Sequence, residues 1–100
     1  MSRPPDPYEH IDAEEVLDLA KVLAKQLDRS TRDDPVLRDL RDELETLSRS
    51  LYAASTKKAW IAGSLRSVRS HLEEALSHSF AEEVRAAEFI GRIDGLLADS

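Results

Sequence analysis

Apolar residues in the middle of the chain recur at spacings of three and four, the period of one face of an α-helix. The repeat is a leucine seam made of Leu37, Leu40, Leu44, Leu47 and Leu51. Its strict seven-residue repeat predicts a helix that packs lengthwise against another helix at a shallow angle. Asp34 followed by Pro35 predicts the start of this helix, because aspartate accepts hydrogen bonds at an N-cap and proline suits the first helical position.

The same apolar phase continues beyond the seam, and two structures are compatible with it. Either one long helix runs from Pro35 to about His78, or a tight turn near Ser55 and Thr56 folds the region into a hairpin. Unbroken phase without proline or glycine at the turn favours the long helix, whereas the average helix length of about 11–12 residues favours the turn. The continuing positions are Ala54, Lys58, Ile61, Leu65, Val68, Leu72 and Ala75.

Two further helices are predicted on either side of this region. Asp12, with Glu15 three residues later, forms a capping-box pattern before an apolar stripe. Ser79 and Glu82 form a second capping box before a last apolar face. The first stripe comprises Val16, Leu19, Ala20, Leu23, Ala24 and Leu27, and the last face comprises Ala86, Phe89, Ile90, Ile93, Leu96 and Leu97.

Composition supports an all-α fold. The chain has 14 leucines and 12 alanines but only five aromatic residues, a balance that favours helices over sheet. We predict a three- or four-helix bundle, or a long helical hairpin, as a single domain over residues 11–100, preceded by a flexible proline-rich arm at residues 1–10. Because the leucine seam offers more lengthwise packing surface than one short bundle needs, we also predict a homodimer. Gly91 and Gly95 leave a groove that another backbone could approach closely.

Several kinds of chemistry are excluded or disfavoured by what the sequence lacks. The chain has no cysteine, so it has no disulfide, thiolate nucleophile or cysteine-ligated zinc. It also lacks a long apolar run and the apolar stretch of a signal peptide. We therefore expect a cytoplasmic protein that has no cofactor and no membrane partner.

Charge is segregated along the chain. Residues 46–72 contain no aspartate or glutamate and carry +5 from Arg49, Lys57, Lys58, Arg66 and Arg69, whereas residues 1–45 sum to −6 and residues 73–100 to −5. We interpret the basic segment mainly as a helix packed among neighbours whose acids pair with its Lys57, Lys58, Arg66 and Arg69 side chains. A protein partner at this segment is a second interpretation. Nucleic acid is not expected, although cations beside aromatic residues can bind it, because the acidic flanks repel a polyanion.

One histidine group has spacing that could suit a metal. His71, Glu74 and His78 lie within roughly 60° of one another on a continuous helix, and two imidazoles with a carboxylate can bind a divalent ion. The group lies away from the apolar stripe, so a solvated helix face is the preferred interpretation and no metal is predicted.

Arg66 and His71 are separated by four residues in the run Arg66-Ser67-Val68-Arg69-Ser70-His71. This resembles the arginine–histidine signature of the HEPN ribonucleases, which are small all-helical proteins that act as dimers. The resemblance implies that both side chains would converge on an RNA backbone without a metal ion. On a regular helix, however, they point about 140° apart.

The function predicted from the sequence is a non-enzymatic helical module for protein–protein interaction or assembly. The alternative is a HEPN-like, metal-independent ribonuclease or toxin-type protein that uses Arg66 and His71. The specific role and the identity of any partner do not follow from the sequence.

Overall fold

The computed structural model describes residues 8, 10–29, 34–53, 57–78, 81–82 and 84–98. These residues form four α-helices: α1 (Ala13–Asp28), α2 (Pro35–Tyr52), α3 (Lys58–Ala75) and α4 (Ala86–Leu97). No strand occurs in the described ranges, so the all-α prediction is confirmed for them.

The central region is a hairpin of two helices. α2 ends at Tyr52 and α3 begins at Lys58, and the two helices pack against each other. The prediction of a break near Ser55 and Thr56 is therefore confirmed, although both residues lie outside the described part of the chain. The alternative of one helix from Pro35 to about His78 is wrong.

The first two helices begin where the sequence predicts. Asp12 is the N-cap of α1 and its carboxylate accepts a hydrogen bond from the Glu14 amide at 2.9 Å. Asp34 caps α2 in the same way, accepting from the Val36 amide at 2.9 Å, with Pro35 as the first helical residue. Each cap satisfies an amide that would otherwise lack a partner within the helix.

The last helix begins later than predicted. The Ser79–Glu82 capping box placed its start near residue 80, but α4 begins at Ala86, and Ser79 lies outside the described residues. Arg85, directly before α4, has a left-handed backbone (φ 56°, ψ 42°), which cannot continue a right-handed helix. Val84 beside it is fully buried. The chain thus turns and buries Val84 before α4 starts.

The four helices share one apolar core. α1 contacts α2 and α4, and α3 contacts the same two helices. Four leucines of the seam, Leu37, Leu40, Leu44 and Leu47, are buried within this core, and Leu51 is half-buried against it. The seam therefore packs inside its own chain. No helix in the described ranges has the length and apolar character needed to cross a bilayer.

The start of the chain packs against this core. Tyr8, from the predicted arm, is half-buried against it, and the Arg66 guanidinium lies 5.5 Å from the centre of the Tyr8 ring. Nearby, the His10 imidazole Nε2 is 3.2 Å from the carbonyl oxygen of Leu97 at the end of α4. The end of α4 and the residues preceding α1 therefore lie at the same height along the α3 axis as Arg66, near the middle of that helix.

Candidate interaction surface

Two large aromatic side chains are exposed where α2 ends and α3 begins. Tyr52 is the last residue of α2 and is 70% exposed, and Trp60 is the third residue of α3 and is 66% exposed. Tryptophan is on average a largely buried residue, so an exposed indole is an informative departure. Aromatic side chains of this kind supply most of the binding energy at many protein interfaces.

Two lysines lie between these aromatics in the sequence. Lys57 directly precedes α3 and is exposed, and Lys58 is half-buried beside it. The first turn of α3 contains no acidic residue. We call Tyr52, Lys57, Lys58 and Trp60 the aromatic–basic tip. Its lysines give it a local positive charge although the chain as a whole is at −6.

The tip lies at the start of α3, away from the end of α4. Lys57 lies nine residues from Arg66, which is roughly 13 Å along α3 at about 1.5 Å per residue. The end of α4 lies at the level of Arg66. The end of α1 lies away from the tip, because the carbonyl of Leu27 accepts a hydrogen bond from Arg41, eleven residues before Tyr52.

Two arginines of the basic segment are paired with carboxylates inside the chain. Arg69 on α3 bonds Asp94 on α4, with Nε–Oδ1 at 2.5 Å, and also pairs with Glu73 one turn along. The hydrogen bond from Arg69 lowers the pKa of the Asp94 carboxyl, and Asp94 and then Glu73 raise the pKa of Arg69. Arg49 bonds Glu45 at 2.6 Å. Arg69 thus links two helices, and Arg49 pairs within α2.

Arg66 and His71 both lie on the continuous helix α3. Their spacing on a regular helix directs them about 140° apart. Arg66 stacks on Tyr8 and is within 3.5 Å of its hydroxyl oxygen, so its guanidinium faces the start of the chain. His71 is half-buried farther along the helix. The two residues are not brought together in one cleft by α3.

The histidine group is divided by the end of α3. His71 and Glu74 lie on the helix, whereas His78 lies three residues beyond its last residue, Ala75, in a turn where its amide bonds the Ala75 carbonyl. Within the described ranges, no group of three histidine, cysteine or acidic side chains is placed to hold a metal ion. The geometry required for three ligands on one helix face is lost because the helix stops.

Sequence reasoning named the basic segment but missed the exposure of its aromatics. The signal was present in the helix phase, since Trp60 lies roughly 100° around α3 from the buried Ile61. No protein-family model matches the sequence, and no curated protein or solved structure matches it. The function is therefore inferred from the geometry of the chain itself.

Proposed function

We propose that this protein is a non-enzymatic helical module for protein–protein interaction and assembly, and that its contact surface is the aromatic–basic tip. The exposure of Trp60 and Tyr52, where α2 ends and α3 begins, is the observation that supports this proposal. Because these two side chains are exposed to water, they do not contribute the hydrophobic stabilisation that buried side chains give the core. A partner that covers them recovers that stabilisation on binding.

The composition of the tip matches that of a small protein interface. Tryptophan and tyrosine are enriched among residues that dominate binding, and a polar or charged rim commonly surrounds such anchors. Lys57 and Lys58 supply the rim here, and its sign selects an acidic partner surface. The tip presents its side chains outward, and an outward-facing anchor suits docking into a partner.

Site-specific photocrosslinking in the source cell tests this proposal. A benzophenone amino acid placed at Tyr52 keeps an aromatic ring at the tip, and the same group at Asp39, an exposed position on α2, is the matched control. We expect protein adducts from position 52 and not from position 39, and we expect Trp60→Ala to remove them. Mass spectrometry then identifies each adduct as a second copy or another protein. Equal labelling from both positions, or none from position 52, would contradict an interaction surface at the tip.

A further inference from the structure

A second surface of the same molecule is complementary to the tip. α1 and α4 flank an open cleft of about 370 Å³, which we call the α1–α4 cleft. Its lining residues are Glu15, Asp18, Arg92, Gly95 and Leu96. Both carboxylates are exposed, Leu96 is half-buried, and a methyl group built on Gly95 would meet no atom within 4 Å. The cleft combines an apolar patch, open space above a glycine, and two acids.

We infer that the tip of one copy docks into the α1–α4 cleft of a second copy, with Trp60 as the inserted side chain. This inference rests on the proposed function and names the partner as the chain itself. The open space above Gly95 and the exposed part of Leu96 accommodate the indole. Lys57 meets the carboxylates of Glu15 and Asp18, so basic and acidic surfaces face each other.

The remaining lining residue also suits an aromatic guest. The guanidinium of Arg92 already lies 5.8 Å from the centre of the Phe89 ring on its own helix. A guanidinium that stacks on one aromatic face can stack on a second, and tryptophan is the best partner for such a contact. Arg92 therefore faces the indole while the carboxylates of the cleft face the lysines.

A tip does not reach the Gly95 side of the cleft in its own chain. Gly95 follows Asp94, which pairs with Arg69 on α3. Arg69 lies nine residues from Trp60, which is roughly 13 Å along the helix. Trp60 accordingly remains 66% exposed. The contact is therefore between copies.

Each copy carries one tip and one cleft, and in the proposed dimer two copies exchange both contacts. Such a reciprocal pair has two-fold symmetry, which is the commonest symmetry of homo-oligomers. In it, two tip-in-cleft contacts form together and association stops at the dimer. An interface built from so few side chains should bury less than about 1,200 Å², and such interfaces are typically weak, so we expect a dissociation constant of roughly tens of micromolar.

Analytical ultracentrifugation of paired variants tests the inference. Trp60→Ala removes the tip anchor, and Gly95→Leu fills the cleft on a helix position that has room for a side chain. Gly91→Leu is the matched control, because Gly91 is equally open on the same helix but does not line the cleft. We expect the native chain and Gly91→Leu to dimerise, and each of the other two variants to dimerise at least tenfold more weakly.

Mixing the two defective variants provides the sharpest readout. Trp60→Ala retains a free cleft and Gly95→Leu retains a free tip, so the mixture should form 1:1 heterodimers through a single contact. A native chain that stays monomeric at high concentration would overturn the inference. Dimers that persist at native strength in both variants would also overturn it. So would a mixture that forms no heterodimer at concentrations of about 1 mM, where a single contact should be populated, while the native chain dimerises.

These failures are distinguishable from failure of the proposed function. Photocrosslinks from position 52 to a different protein, together with a monomeric native chain, would leave the interaction module standing and remove the second copy as its partner. Salt-sensitive retention of single-stranded RNA or DNA, lost in Trp60→Ala, would instead assign the tip to nucleic acid and contradict both proposals.

Discussion

Two helical glycines should limit the stability of this fold. Gly63 is the sixth residue of α3 and Gly91 is the sixth residue of α4, so both lie in helix interiors. Neither has a positive φ, and a Cβ built at either position meets no atom within 4 Å. Alanine at these positions therefore fits without a clash and gains no new packing contact.

The expected gain follows from helix propensity alone. Glycine is about 0.8–1 kcal/mol less favourable than alanine in a helix interior, because it loses more backbone freedom on folding. Gly63→Ala and Gly91→Ala lie on different helices, so their effects should nearly add. We expect the double variant to be about 1–2 kcal/mol more stable than the native chain.

Urea denaturation monitored by circular dichroism measures this change, at protein concentrations below the association range so that dimerisation does not contribute. The midpoint should rise by roughly 0.5–1 M with an unchanged slope, given slopes of about 1–3 kcal/mol/M for small proteins. Ser70→Gly, at an exposed position inside α3, is the opposite control and should lower stability by about 0.5 kcal/mol. A double variant no more stable than the native chain would refute the reasoning.

Three further predictions concern the core, an ion pair and the ribonuclease alternative. Leu44→Asp should cost about 3 kcal/mol or more in urea denaturation, because it buries a charge in the core. The free energy of unfolding should fall as the pH drops from the usual carboxyl pKa of 3.8 through the lowered pKa of Asp94, because protonation of this carboxylate breaks its pair with Arg69. Asp94→Asn should flatten this fall. His71→Ala should change stability by less than about 0.5 kcal/mol. Neither it nor Arg66→Ala should abolish a cellular effect of the protein, and loss of that effect in both, with the fold intact, would favour the HEPN-like reading.

Local signals in the sequence were enough to place two helix starts. Asp12 and Asp34 each cap a helix through a carboxylate that reaches an amide two residues later, so the information lies within three residues. The start of α4 was misplaced because Ser79 and Glu82 match the same local pattern. There the burial of Val84 and the left-handed Arg85 decide where the helix begins, and both depend on the tertiary fold.

The break between α2 and α3 shows why apolar phase is ambiguous. Leu47 in α2 and Ile61 in α3 face the same core, so both belong to one continuous apolar repeat although they lie on separate helices. The apolar repeat shows which face of a helix is buried, but it does not show whether the backbone continues as one helix. The leucine seam was likewise read as surplus packing surface, whereas α3 and the rest of the core cover most of it.

The acid-free segment also divides in a way that the sequence does not reveal. Its inner part, represented by Arg69, is tied to Asp94 on α4, so its charge serves the packing of one helix against another. Its outer part projects as the aromatic–basic tip, where Lys57 and Trp60 lie beyond the level reached by the end of α4. We propose that the net charge of +5 over residues 46–72 is divided between two surfaces with different roles. Substitutions in the inner part should act on folding stability, whereas substitutions at the tip should act on association and leave stability nearly unchanged.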